Sequence, residues 1–275
     1  MDLGLEGKVA LIAGGSSGLG LASARELAQE GMHVAVGSRD PAKLADAARS
    51  IKEVSRGKVH TTSVDLTDRA AVERWVAEVA DEFGALHVVL VCGGSPPVGG
   101  SADFTVEDYD AAVDLVLLPA VHLALTTLPH LRAAGWGRLL FVASETASSP
   151  STRLALSGVT RAGLVRFAQS LACQTGRDGI TVNVLAPATT RTPPIERVAA
   201  RIAEDGDVEA ALRAMGEHNP LGRIAEPEEF AALVAFLAGT RASFITGGVH
   251  PVDGGAGAVG TELPYLDNVS KNILT

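Results

Sequence analysis

The sequence predicts one doubly wound α/β domain, a parallel sheet of about seven strands with helices on both faces. Three observations carry this. Short apolar runs alternate with longer helical patterns along nearly the whole chain. The 275 residues are 47% hydrophobic, enough for one large core. Thirty glycines with only 4% aromatics suit tight βα turns and a sheet packed with aliphatic side chains. No repeat, low-complexity tract or Pro/Ser linker divides 1–275.

Lys8 to Ala13 is a short apolar run ending in glycines, so a buried strand. Gly18 to Gln29 reads as a helix with Leu19, Ala22 and Leu27 on one side. His33 to Gly37 is the second strand. Asp40-Pro41 opens a helix to Val54, with Asp40 as N-cap and Pro41 in the first turn. Val59 to Val64 is the third strand, Thr67 to Phe83 a helix and His87 to Cys92 the fourth strand. Phe104 to Ala134 reads as a long helix kinked at Pro119. Gly137 to Ser144 is the fifth strand, Thr152 to Thr175 a helix and Ile180 to Ala186 the sixth strand. Thr192 to Glu217 forms an insert with two short helices. Glu226 to Ala238 is the last helix and Gly248 to Pro251 the last strand. Right-handed crossovers give the order 3-2-1-4-5-6-7, with a ligand crevice at the carboxyl ends of strands 1 and 4.

Net charge is -9, with acids and bases mixed and no Lys/Arg cluster to neutralise phosphates, so no nucleic-acid partner is expected. Cys92 and Cys173 do not make a disulfide framework, and a reducing cytoplasm is the expected home. Met1 to Lys8 lacks a basic segment followed by an apolar one, so no signal peptide is expected. No apolar run is read as long enough for a bilayer, and no membrane partner is expected. The seven histidines lack metal-ligand spacing, and no metal is expected.

Ala13-Gly14-Gly15-Ser16-Ser17-Gly18-Leu19-Gly20 ends an apolar strand and opens a helix. Glycine lets backbone approach a pyrophosphate, and the helix N-terminus offers free N–H groups. After strand 2, where a ribose would arrive, stands Ser38-Arg39 instead of an acid. The planar fork of Arg39 suits a 2′-phosphate, which favours NADP(H) over NAD(H).

With these motifs the chain resembles the short-chain dehydrogenase/reductase family, a Rossmann-like fold, over nearly its full length. Gly14, Gly18 and Gly20 match its glycine motif, with Ala13 in place of the usual threonine. The resemblance places Asp65 and Leu66, in Val64-Asp65-Leu66-Thr67-Asp68, at the adenine. Pro187 to Thr192 matches its Pro-Gly-x-x-x-Thr, which implies that Pro187, Thr190 and Thr192 meet the nicotinamide end. Pro220-Leu221-Gly222-Arg223, Pro227-Glu228-Glu229, Phe236-Leu237 and Val252-Asp253-Gly254-Gly255 continue the match.

The match breaks at the family's proton machinery. Where the family has Asn-Asn-Ala-Gly, this chain has Val91-Cys92-Gly93-Gly94, so polar tethers between strands are lost and apolar packing is expected instead. Gly93 keeps room beside the cofactor. Ser144 holds the family's serine position. Its Tyr-x-x-x-Lys falls on Ser157 and Arg161, and its helix asparagine on Val116. Serine is a much poorer acid than tyrosine, and arginine stays protonated. Ser144, Ser157 and Arg161 are the expected catalytic positions, with Arg161 also an anchor for cofactor or substrate. Glu145 is a possible charge partner or acid, and Cys92 a possible thiol near the crevice. The resemblance implies an NADP(H)-dependent oxidoreductase acting on a small carbonyl, imine or iminium substrate. Open beside it stand a non-redox NADP(H)-binding protein and a lyase similar to halohydrin dehalogenases. The 192–217 insert is the expected substrate lid, and Tyr265, in the 256–275 tail, a substitute acid. The long helices resemble those through which the family forms dimers and tetramers, so a homo-oligomer is expected.

Overall fold

The computed structural model describes residues 1–217 and 219–259. The tail beyond Val259, and with it Tyr265, lies outside the described residues. The chain alternates β1 (Val9–Ala13), α1 (Gly18–Gln29), β2 (His33–Ser38), α2 (Pro41–Lys52), β3 (Val59–Ser63), α3 (Arg69–Phe83) and β4 (Val88–Val91). Then follow α4 (Val106–Ala112), a π turn (Val113–Leu117), α5 (Leu118–Ala133), β5 (Gly137–Val142) and α6 (Ala155–Thr175). The chain continues with β6 (Ile180–Pro187), α7 (Pro193–Ile202), α8 (Val208–Gly216), α9 (Pro227–Ala238), β7 (Val249–Val252) and α10 (Ala256–Val259). The sheet order is β3-β2-β1-β4-β5-β6-β7, as expected, and every pairing is parallel.

Local chemistry sets the element ends. Asp40 caps α2 by accepting from the N–H groups of Ala42 (2.9 Å) and Lys43 (3.2 Å). Asp68 caps α3 in the same way through Ala71 N at 3.0 Å, two residues later than the sequence suggested. Gly84 closes α3 in the left-handed conformation at φ 74°.

One face of the sheet packs Val72, Trp75, Leu123, Leu131, Leu164 and Ala168 from α3, α5 and α6. The other packs Ala24, Leu27, Ile51, Phe230 and Val234 from α1, α2 and α9. Both faces are covered, which is why the central strands are apolar throughout. A third, smaller cluster joins Val198 and Ala199 of α7, Leu212 and Met215 of α8, and Val98 and Ile224.

Two expectations need correction. The long helix after β4 is broken by a π turn at Val113–Leu117, where Leu118 N–H reaches back to Val113 O. The irregularity lies just ahead of Pro119, whose missing N–H denies the regular ladder a bond. The run Val106–Ala133 is also long and apolar enough, by length and composition, to cross a bilayer, which the sequence reading did not register. In this fold Leu123, Leu128 and Leu131 on that run pack against the sheet.

Candidate functional site

The carboxyl ends of β1, β4 and β5 lie side by side, with Ala13 opposite Val91 and Val91 opposite Phe141. Two cavities open over them. The larger, of ≈ 440 Å³, is lined by Gly14, Ser16, Ser17, Ser38, Arg39, Asp65, Leu66 and Gly93. The smaller, of ≈ 240 Å³, is lined by Leu19, Ser144, Ser157, Arg161 and Pro187, together with Cys92 and Glu145. Gly94 and Ser95 line both.

The larger cavity is shaped by glycine where nothing else fits. Gly14 sits at φ 71°, and a Cβ on it would lie 1.7 Å from the carbonyl oxygen of Cys92. A Cβ on Gly20 would lie 2.3 Å from the oxygen of Gly14. Ser17, the N-cap of α1, makes no side-chain cap bond among the described residues, so it leaves the Gly18 and Leu19 N–H groups uncapped, while the Gly20 N–H is turned to the Cys92 thiol. Ser16 Oγ donates to Ser38 Oγ at 2.7 Å and ties the glycine turn to the end of β2. Arg39 and Lys43 both line it, and Asp40, which caps α2, also stands 3.9 Å from Lys43 Nζ. Asp65 accepts from Thr67 N–H and Oγ1, and the Thr67 N–H bond leads in holding its carboxyl below the usual range. A glycine turn at a helix start together with the basic side chains of Arg39 and Lys43 fits a phosphorylated dinucleotide.

The smaller cavity holds a file of hydroxyls. Ser144 ends the extended segment after β5 and caps a 3-10 turn, Glu145–Ala147, by accepting from Thr146 N at 3.3 Å. Ser144 Oγ donates to Glu145 Oε2 at 2.8 Å and accepts from Thr146 Oγ1 at 3.1 Å. Thr146 Oγ1 stands 3.4 Å from Ser157 Oγ. Burial pushes the Glu145 carboxyl above its ordinary range, and Asp253 adds to this; the Ser144 bond opposes it. Burial likewise pushes the Cys92 thiol up to about 11, so it stays a neutral thiol near pH 7.

Arg161 takes a role the sequence did not foresee. Its NH1 donates to Val142 O at 2.7 Å, and its NH2 to Gly94 O at 2.7 Å and Gly93 O at 3.1 Å. Its buried Nε has no hydrogen-bond partner among the described residues. Burial pulls the guanidinium down to about 10, so it remains a cation at neutral pH. The loop after β4 is therefore tethered to the end of β5 by a polar group, where apolar packing was expected. Val116 does supply that packing: it is buried in the π turn, and its side chain stands 3.0 Å from the place of a Cβ on Gly94.

The remaining expected residues are distributed differently. Thr192 N-caps α7, and its side chain comes within 3.1 Å of the place of a Cβ on Gly18. Thr190 is buried, its hydroxyl donates to Ala188 O at 3.1 Å, and it lines neither cavity; its neighbour Thr189 lines the smaller one. The lid expectation gains detail, since α7 places Pro194 and Arg197 on the larger cavity and Ile195 on the smaller. Sequence reading missed Lys43, Thr146 and Arg197. Lys43 had a usable signal, a base in the first turn of the helix that follows Arg39.

The comparisons agree with this architecture. Residues 13–257 match the family model described as "Enoyl-(Acyl carrier protein) reductase". A tropinone reductase homolog of Arabidopsis thaliana is 34% identical over 258 residues, spanning 93% of this chain and 92% of that protein. D-beta-hydroxybutyrate dehydrogenase of Cupriavidus necator is 31% identical over 91% of this chain and 98% of its own length. The crystal structure of L-sorbose reductase from Gluconobacter frateurii, complexed with NADPH and L-sorbose, superposes with a TM-score of 0.89. It is 34% identical, covering 93% of this chain and 98% of that one. A family model matched over most of the chain, relatives matched end to end and a shared seven-stranded order place this protein in the short-chain dehydrogenase/reductase family of oxidoreductases.

Proposed function

We propose that the protein is an NADP(H)-dependent oxidoreductase that moves a hydride to or from a carbonyl, imine or related small molecule without a tyrosine acid. The observation that carries this reading is the sharing of Gly94 and Ser95 by the two cavities. A seat with phosphate chemistry opens onto a chamber holding Ser144, Glu145 and Ser157. When bound, the nicotinamide supplies the hydride donor or acceptor.

The chain's own residues do the rest. Gly14, Ser16, Ser17 and the start of α1 cradle the pyrophosphate. Ser38, Arg39 and Lys43 hold the 2′-phosphate, and Asp65 and Leu66 flank the adenine. Gly93, Pro187 and Thr192 bound the nicotinamide end, and α7 excludes water from both cavities. Arg161 holds the floor of the chamber through its three carbonyls. The NADPH in the similar L-sorbose reductase supports the choice of dinucleotide. We further propose a homo-oligomer formed through α4–α5 and α6, on which Leu118, Leu125 and Val159 are exposed; light scattering gives its mass.

The test is fluorescence titration with NADPH, followed by absorbance assays against a panel of ketones, aldehydes, imines and enones. The expected outcome is binding and NADPH oxidation with at least one panel class, retained in Ser157→Ala. Protein that binds no NADPH, or binds it and oxidises none with any panel member, refutes the reading.

A further inference from the structure

Reduction of a carbonyl needs a proton as well as a hydride, and the smaller cavity contains one carboxyl to provide it. Glu145 is 8% exposed and lines that cavity. Because Thr146 directs its hydroxyl proton at Ser144, and Ser144 directs its own at Glu145 Oε2, the file of hydroxyls points toward the carboxyl. The Ser144 hydrogen is committed there, and among the described residues the remaining hydrogen bond to the carboxyl is from the backbone N–H of Glu145 itself. We propose that Glu145 is the acid–base group of the reaction, with Ser144 as the positioning residue that aims its carboxyl. This assignment rests on the oxidoreductase reading above and names the group that replaces the missing phenol.

The step balances. A bound reduced nicotinamide would supply the hydride that forms the new C–H bond and leave oxidised, while the C=O π pair would pass to oxygen. That oxygen would take the proton of Glu145, giving an alcohol and a Glu145 carboxylate. Solvent reprotonates the carboxylate. In the oxidative direction the carboxylate takes the alcohol's proton. The charged and titratable groups packed around the turn are Asp253 beyond β7, Arg161 on α6 and Cys92 after β4. Arg161 is directed to backbone carbonyls and Cys92 is a neutral thiol, so neither competes as the acid. An iminium reduced at carbon needs no proton on its nitrogen, so an acid at this place suits a neutral ketone or aldehyde.

The test compares wild type, Glu145→Gln, Glu145→Asp and Ser144→Ala by NADPH titration, by kcat/KM across pH with the best panel carbonyl, and by infrared spectra of the cofactor-free proteins across pH. Wild type is expected to lose reductive kcat/KM as pH rises through the Glu145 titration. Glu145→Gln binds NADPH as wild type does, drops kcat/KM about 100-fold or more, and lacks that limb. Glu145→Asp recovers part of the rate. Ser144→Ala moves the limb to higher pH, because the bond that favours the carboxylate is gone. The infrared carbonyl band of a buried protonated carboxyl persists in wild type above the pH at which ordinary glutamates ionise, and is missing in Glu145→Gln. An active wild type matched by Glu145→Gln in rate and pH profile overturns the assignment alone, as does a wild-type spectrum without that band. A wild type that oxidises NADPH with no panel member overturns the oxidoreductase reading and the assignment with it.

Discussion

Glu145 is costly for the folded chain to keep, and the sign of that cost is testable. Its carboxyl titrates above the ordinary range when folded and in that range when unfolded. Between the two values the folded state binds more protons, so its contribution makes stability fall as pH rises through that window. Glu145→Gln removes this, and its melting temperature is expected to exceed wild type by a margin that grows through the window; a constant or reversed margin refutes the burial argument. Burial disfavours the Arg161 charge as well, but its hydrogen bonds tie the loop after β4 to β5. Removing its guanidinium leaves the carbonyls of Gly93, Gly94 and Val142 without their donor, so Arg161→Ala is expected to cost about 2–4 kcal/mol in urea unfolding. Arg161→Lys recovers only part, since one ammonium lacks the two-pronged reach of the fork. Arg39→Ala is expected to weaken NADPH binding roughly 10- to 100-fold, the worth of a charged hydrogen bond, and to leave NADH binding unchanged in parallel titrations. The positions of Ser157 and Arg161 were legible by counting forward from Ser144. The direction of Glu145 was not. Successive strand residues face opposite ways, but the chain leaves β5 at Val142 and tightens into a 3-10 turn, which brings Ser144 and Glu145 to one cavity. The partners of Arg161 were equally hidden, because its carbonyls come from the loop after β4 and from the end of β5, which meet only in the folded sheet.

At the scale of elements, the β1–α1 turn is the part least able to vary. A methyl on Gly14 would need the space of the Cys92 carbonyl, which is fixed by its neighbours on β4. Gly14→Ala is therefore expected to lose NADPH binding and to lower the unfolding midpoint together. A well-folded Gly14→Ala with wild-type affinity would show that the turn moves freely. This turn was readable from sequence because its glycines follow an apolar strand and open a helix. The π turn was not: Pro119 announces a disturbed ladder, yet which preceding bonds lengthen depends on Gly94, whose place for a Cβ lies 2.8 Å from Leu115 O. Strand ends differed from expectation by one or two residues, as at β5, which ends at Val142 although Ala143 beyond it is buried and still donates to Leu185 O at 2.8 Å.

Across the whole molecule, the strand order followed from handedness rules applied to an alternating pattern, and it brought residues 14–20, 38–39, 65–66, 93–95 and 144–161 to one edge without any of them being neighbours in sequence. The two large cores grip opposite faces of the sheet, while α7 and α8 rest on their own small cluster. Arg191 adds ion pairs to Glu196 and Glu209 at the base of this pair of helices, but all three side chains are largely exposed and screened by water. Hydrogen exchange is expected to be faster in 193–216 than in β1, β4 or α6, and to slow there when NADPH is added. Uniform exchange across these segments would deny the pair its independence. Pro194, Ile195 and Arg197 of α7 stand above both chambers at once. On the proposed function, spent dinucleotide and organic product would leave beneath one ceiling, and a crosslink that pins α7 is expected to trap both molecules rather than either alone.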